Sequence, residues 1–404
     1  MSTPDAATVA GAARSTSTRV AVFAAYAAQG LGYAVVVTSL PALKQRQGVD
    51  DTVVTLIVLG VAIAAAGGSV LANALAVRFG SRTALVVGLL LQAAALPAIA
   101  LPTPFPLFVS LFAVYGIGLG CVDAATAMQG VIVQRAHGKP LLGGFFSAYT
   151  AAAIAGALLV SAIAASPFAA GVAIGTAGVA ILVVAVVGIR LFAREVPIET
   201  ALPASERARL PRAGIWAFGF VILAVFVVDS AVSTWSTVYL QDDLGALPAL
   251  APLGYAAYQA CVLITRLATD RLLGIMSRRR LVAGAIVVSV VGVVAVALLP
   301  FEIAAIVGFT LAGAATGILI PVTFGAAGDL APAHSDQVIA RVNIFNYAGA
   351  ILGAVIVGVL ADGPGLALAF LIPAAVLAAS LSVVHWFRTD SRASAEADAA
   401  PEAR

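Results

Sequence analysis

The chain has 404 residues, 62% of them hydrophobic and only 10% charged, whereas a soluble globular chain carries roughly a quarter charged residues. That composition excludes an ordinary water-soluble protein. The 22 basic and 19 acidic residues leave a net charge of +3, too small to mark a nucleic-acid partner, and no basic, aromatic-rich module is present.

A helix crossing a bilayer core about 30 Å thick needs roughly 20 apolar residues, so twelve spans consume about 240. Apolar runs lie at residues 19–42, 52–77, 83–101, 105–134, 141–165 and 167–192, and again at 214–241, 250–273, 280–300, 303–327, 338–361 and 365–387. Their unbroken length distinguishes them from buried soluble helices and from barrel strands, which alternate over about 10 residues. The expected fold is an all-α membrane protein with twelve transmembrane helices in two six-helix halves, 19–192 and 214–387. The segment 193–213 carries Pro197, Pro203 and Pro211 among Glu and Arg residues and reads as a polar linker. The tails, 1–18 and 388–404, are rich in Ala, Ser and charge and are expected to be disordered. Arg14 and Arg19 precede the first run as in a signal peptide, but the run exceeds the usual 7 to 15 residues and lacks a clear cleavage site, so it counts as the first helix.

With twelve spans both tails share one side. Only Lys44 and Arg46 fall in loops on the other; the remaining 20 of the 22 basic residues lie in the tails, the linker, or the loops and helix ends on the tail side. Both termini are therefore expected in the cytoplasm, with the chain in the plasma (inner) membrane. Trp216 and Trp386 near tail-side helix ends fit an interfacial belt. Cys121 and Cys261 lie inside apolar runs and read as small buried residues. His137, His334 and His385 show no metal-ligand spacing. No metal and no cofactor are expected.

An ionisable side chain at mid-bilayer costs at least about 2.5 kcal/mol and needs a wet cavity, a partner or a neutralising proton. Asp123, in the fourth run, and Asp229, in the seventh, are so placed, each flanked by small residues that leave room for water or a ligand. Proton coupling is the favoured reading; the alternative is a carboxyl hydrogen-bonded to a neighbouring helix. Polar residues at helical spacing add faces to a shared cavity: Tyr26, Gln29 and Tyr33; Asp229, Ser233 and Ser236; Tyr255, Tyr258 and Gln259; Asn343, Asn346 and Tyr347. Interhelical hydrogen bonding alone would account for any one of them. Glycines four apart, Gly171 with Gly175, Gly313 with Gly317 and Gly349 with Gly353, suit close packing within one chain, and a monomer is expected. Pro97, Pro321 and Pro373 offer bends inside runs.

The halves repeat one another. Ala72 to Arg82 aligns without gaps to Thr269 to Arg279, setting Asn73 beside Asp270 and Arg82 beside Arg279. This loop at the same place in each half resembles the major facilitator superfamily, whose signature G-x-L-A-D-R-x-G-R-R/K is similar to Leu75 to Arg82, with Val77 in the place of the acid. Finer stretches resemble its fucose-permease-like and YbjJ-like branch. Gly118 to Ala125 is similar to the helix 4 stretch where fucose permeases carry an acid tied to proton coupling. Asp229 to Gly245 is similar to E-G-A-x-x-D-W-S-x-x-Y-L-R-D-x-L-G, with Asp229 for Glu and Thr234 for the second acid. Thr265 to Leu272 resembles G-R-L-x-x-D-R-L, and Pro321 to Gly328 the helix 10 ending.

The resemblance implies a secondary transporter working by alternating access, with its cavity lined by helices 1, 4, 7 and 10. Asp123 is expected as principal proton carrier and Asp229 as second carrier or substrate ligand. Gln29, Tyr33, Trp235, Tyr258, Gln259, Asn346 and Tyr347 are the expected substrate contacts. Arg78, Arg82, Asp270 and Arg271 are the expected gating charges. Partners are a small-molecule substrate, protons and the lipid bilayer. Uptake of a sugar-like solute follows from the branch; export of hydrophobic drugs or natural products is the alternative, because the cavity offers few charges and many aliphatic walls. An enzyme is not expected: no serine pairs with a membrane histidine, and H-E-x-x-H and G-x-x-x-x-G-K-[ST] are absent.

Overall fold

The computed structural model describes residues 16–139, 141–194, 210–331, 334–361, 363 and 365–387. Residues 16–18 of the expected disordered tail are helical, in the first turn of the first long helix; the rest of the tails and most of the expected linker lie outside the described residues. The long helices are α1 (Thr16–Thr38), α2 (Asp51–Phe79), α3 (Ser81–Ala100), α4 (Phe105–His137), α5 (Leu142–Ile163), α6 (Ala169–Leu191), α7 (Arg212–Val238), α8 (Ala251–Ile275), α9 (Arg278–Leu298), α10 (Glu302–Asp329) and α11 (Ser335–Ala361). The last, α12 (Leu366–Trp386), is built from consecutive α and 3₁₀ segments. Eleven of these stretches are long and apolar enough to cross a membrane. The exception is α8, whose polar Tyr255, Tyr258, Gln259 and Arg266 lower its hydropathy.

The first apolar run does not continue to residue 42 as one helix. It breaks at Ser39, and a short helix, Leu40–Gln47, starts with Pro41 in its first turn and closes on Gly48, a left-handed residue at φ 64°. Pro41 suits a helix start because the amide it lacks has no intrahelical partner there. In the opposite direction, α4 extends three residues past the expected 134 to His137 before Gly138 caps it at φ 65°. On the far side of the linker, α7 passes into a π turn, Tyr239–Asp243.

Each half packs by the same scheme. In the first, α1 lies on α5, α2 on α4, and α3 on α4 and α6; in the second, α7 lies on α11, α8 on α10, and α9 on α10 and α12. The weak repeat in sequence is therefore a repeat in packing. The halves meet through α5 against α8, α2 against α11, and α1 against α7. Lipid supplies no hydrophobic drive between helices, so close backbone approach has to come from small residues. A Cβ on Gly120 would overlap the Ala65 backbone of α2, and one on Gly118 would stand 2.9 Å from the Gln92 side chain of α3. The space expected beside these glycines of the Asp123 stretch is thus filled by neighbouring helices rather than by water. Gly313 and Gly317 likewise press on the Tyr258 and Val262 carbonyls of α8, and Gly349 and Gly353 on the Leu223 and Val227 carbonyls of α7. Of the third expected pair, a Cβ on Gly175 would meet no neighbouring helix within 4 Å among the described residues.

Two apolar cores result. One belongs wholly to the first half; the other fills the second half and recruits Ala34, Val37 and Leu40, Val54, and Ala153 and Ala157 from the first. All six recruits sit toward the side opposite the described termini, so the apolar seal between halves is on that side. Consistently, residues 230–240 of α7 and 312–319 of α10 are buried on every face, whereas Asp123 and Ala127 of α4 and Pro321 and Gly325 of α10, nearer the termini, are exposed. A cleft between the halves is closed at the far end and open at the termini end.

Candidate functional site

Asp123 lies near the middle of α4, yet its side chain is exposed in this cleft. Its Oδ1 accepts a 2.9 Å hydrogen bond from Gln29 Nε2 of α1, which also donates to the Leu119 carbonyl at 3.3 Å. Gln29 Oε1 in turn accepts from Gln92 Nε2 of α3 at 2.7 Å. Both glutamines are buried, and the relay fixes which way the Gln29 amide points: its oxygen toward α3, its nitrogen toward the carboxylate.

The second half supplies the counterpart. Asp229 Oδ1 accepts from the Tyr258 hydroxyl of α8 at 2.6 Å, and the same hydroxyl lies 2.8 Å from Thr316 Oγ1 of α10. Tyr258 has one proton, and with it committed to Asp229, Thr316 must donate to Tyr258. Tyr33 of α1 and Tyr149 of α5 stand within electrostatic reach of both carboxylates, and Tyr255 of α8 within reach of Asp229. Gln259 donates to the Tyr255 hydroxyl at 2.8 Å. The exposed Tyr347 is within electrostatic reach of Asp123, and Asn346 donates to Asn343 at 3.4 Å. Helices from both halves thus bring the carboxylates, tyrosines and amides of the sequence reading to one region.

Trp235 stands apart. It is wholly buried and its Nε1 donates to the Ala354 carbonyl at 2.8 Å, which locks α7 to α11; it presents no surface to the cleft. The expected gating charges are not brought into contact. Arg78, Asp270 and Arg271 are exposed, Arg78 lies over the neighbouring Phe79 ring at 5.6 Å, and none of them forms an ion pair among the described residues. Buried Nη1 of Arg82 has no hydrogen-bond partner among the described residues. The inter-half charge contact is at the opposite end, where Lys44 Nζ meets Asp51 Oδ1 at 2.6 Å and Asp242 Oδ2, across the seam, at 2.8 Å. Beside it Ser161 Oγ donates to the Ala249 carbonyl at 2.5 Å.

Sequence reasoning passed over Gln92, Tyr149, Thr316 and Arg266. Gln92 could have been found as the amide inside the third apolar run. Arg266 was counted with the loops and helix ends, which the structure corrects: it lies nine residues before the end of α8, about 13 Å at 1.5 Å per residue. There its Nη1 donates to Thr150 Oγ1 at 3.0 Å and to the Phe146 carbonyl at 3.4 Å, both on α5 of the other half.

Comparison with known proteins agrees with this architecture. Over 365 residues the chain is 28% identical to an uncharacterized MFS-type transporter of Yersinia pestis, covering 89% of this chain and 92% of that protein. It is 27% identical to an uncharacterized transporter, y4wD, of Sinorhizobium fredii, over 68% of this chain and 73% of the relative. Among solved structures, a mutant of the nucleoside transporter NupG superposes with a TM-score of 0.76 at 11% identity, over 92% of this chain and all of that one. The transporter FucP in its outward conformation superposes with a TM-score of 0.62 at 15% identity, over 92% and 98% of the two chains. At such identities the structures speak to the fold. The family model for the Major Facilitator Superfamily matches residues 22–302 and 218–404, so this multi-pass membrane chain belongs to the Major Facilitator Superfamily of transporters.

Proposed function

We propose that the protein is a proton-coupled secondary transporter of a small hydroxylated, sugar-like solute, with Asp123 as principal proton carrier and Asp229 as second carrier. One observation carries this reading: each half holds one mid-helix carboxylate, and the hydrogen bonds each accepts come from neutral donors, Gln29 and Tyr258. No cation stands within ion-pair distance of either among the described residues. A carboxylate at membrane depth with no ion-pair partner is neutralised most simply by a proton. The sealed far end and open near end are one end state of alternating access, and the basic-residue bias makes the open side cytoplasmic and the membrane the inner one.

The groups facing this region suit a hydroxylated solute. Tyr33, Asn346 and Tyr347, joined by Tyr149, offer hydroxyls and amides, with Gln29, Tyr258 and Gln259 behind them as positioning partners. A nucleoside, the solute class named for NupG, has a similar hydrogen-bonding sugar ring. We assign Trp235 to packing rather than to solute contact. Arg78, Arg82, Asp270 and Arg271 are proposed to gate the open end, with Asp270 the one acid among them for a base to meet when it closes. Both carboxylates and the whole cleft come from one chain, so a monomer suffices.

A second reading, export of hydrophobic compounds, draws on a cavity of about 70 Å³ on the sealed side, lined by Val36, Leu40, Val58, Phe108 and Phe112 among others. Internal pH in proteoliposomes separates the two when sugars, polyols, nucleosides and sugar acids are added in one series and cationic aromatic compounds in another. Acidification driven by a hydroxylated solute is the expected result. A pH response to the aromatic series alone would replace the first reading by the second, and no response to any transported solute would remove proton coupling.

A further inference from the structure

Arg266 is the charged side chain near the cleft that the reading above leaves without a task. No other described basic residue lies as far from a helix end; Arg341, the next, stands six residues into α11. An arginine at that depth is expensive and marks a functional position by default. A guanidinium has five N–H donors in a rigid fork. Only Nη1 is engaged, by Thr150 and the Phe146 carbonyl. Nε and Nη2 have no protein partner among the described residues, and no carboxylate lies within ion-pair distance. The side chain is half-buried rather than sealed, so these two parallel donors remain available at the seam between α5 and α8.

The surroundings define what would occupy them. Arg266 lies within electrostatic reach of Asp229, Tyr258 and Tyr149, the groups already placed at the solute. Two parallel N–H donors match the two oxygens of a carboxylate, and such charge-assisted pairs are the stronger hydrogen bonds. Asp229 does not fill the role, because it is held by Tyr258 instead.

We infer that Arg266 is an anion subsite of the same cleft, and that the transported solute is a hydroxylated organic acid whose carboxylate pairs with the Nε and Nη2 donors while its hydroxyls meet Tyr33 and Tyr149. This rests on the transporter reading and narrows its solute class. A solute carboxylate held there adds negative charge near Asp229, so a proton on Asp229 and the anion enter the cleft together.

The test is thermal unfolding of the full chain in lipid nanodiscs at fixed ionic strength. The probes are glycerate, gluconate and glucuronate, set against their neutral counterparts glycerol, glucitol and glucose. The acids are expected to raise the unfolding temperature of the wild type and the neutral compounds to leave it unchanged. In Arg266→Gln the apparent affinity for the acids should fall at least about tenfold, the loss of a charge-assisted pair. Should that variant not fold, Arg266→Lys decides: it keeps the charge without the fork, and binding is expected to weaken. Acids that bind either variant as well as the wild type, neutral compounds that bind as well as acids, or no acid that shifts the wild type would each overturn the inference. Proton entry triggered by a neutral compound, with no acid effect, would overturn it while leaving proton coupling intact.

Discussion

Asp123→Asn is expected to lower uphill accumulation about tenfold per unit of pH gradient while leaving exchange of solute across the membrane within a few-fold of wild type. Asparagine has the shape of the native residue, and its Oδ1 can still accept from Gln29, so the relay from Gln92 through Gln29 to α4 survives. What it lacks is a group that binds and releases a proton at ordinary pH. One pH unit across the membrane is worth about 1.4 kcal/mol per coupled proton, or about tenfold in accumulation. With a one-unit gradient, the variant should lose that factor of about ten and keep only the accumulation that a proton on Asp229 drives. Labelled-solute counterflow beside gradient-driven uptake in the same proteoliposomes reads both quantities. Counterflow lost together with uptake would assign Asp123 a structural or binding role instead.

Lys44→Met is expected to unseat the far-side closure. Lys44 stands at the end of the short helix after α1 and bridges Asp51, in the first turn of α2, to Asp242, at the end of α7. Surface pairs contribute little, but these side chains are only 15 to 22% exposed, and a single ammonium serves two carboxylates. Removing it leaves Asp51 and Asp242 facing one another, which should favour opening by about 1 to 2 kcal/mol, or roughly tenfold in population. Cysteine placed at Thr234, beside the sealed cavity, with Cys121 and Cys261 replaced, should then label several-fold faster from the far side. Unchanged labelling would show that the apolar contacts seal that end without the charges. The pH dependence has a definite sign. Burial pulls the Lys44 ammonium down, but its hydrogen bonds and attraction to Asp242 and Asp51 outweigh that and raise it above the ordinary 10.5. The contribution of Lys44 to closure is therefore complete below that ordinary value and is lost only as pH rises through the raised one.

The helices were legible because hydropathy over 20 residues is a one-dimensional property, and both carboxylates stood out because an acid in an apolar run has no local explanation. The site around them was legible in part. Gln29 and Tyr258 emerged from helical spacing, but Gln92, on α3, touches the site only through Gln29, a contact across 63 positions that no periodicity encodes. Trp235 failed in the opposite way: spacing puts it on the helix that carries Asp229, but whether it faced the cleft or α11 depended on the room left by Gly358 of the partner helix. Arg266 escaped because counting charges by loop treats every base near a helix end alike. The Lys44 bridge depended on the short helix at Leu40–Gln47, which the apolar run concealed.

Proton coupling requires that an intramembrane carboxyl of this chain take up and give back a proton. Infrared difference spectroscopy of the protein in lipid, titrated with pH in the absence of solute, reads the C=O stretch of a protonated carboxyl directly. The expected result is a titrating carboxyl band that Asp123→Asn removes while the unaltered Asp229 keeps its own. An unchanged spectrum in Asp123→Asn, with Asp123 ionised throughout the accessible pH range, would contradict it.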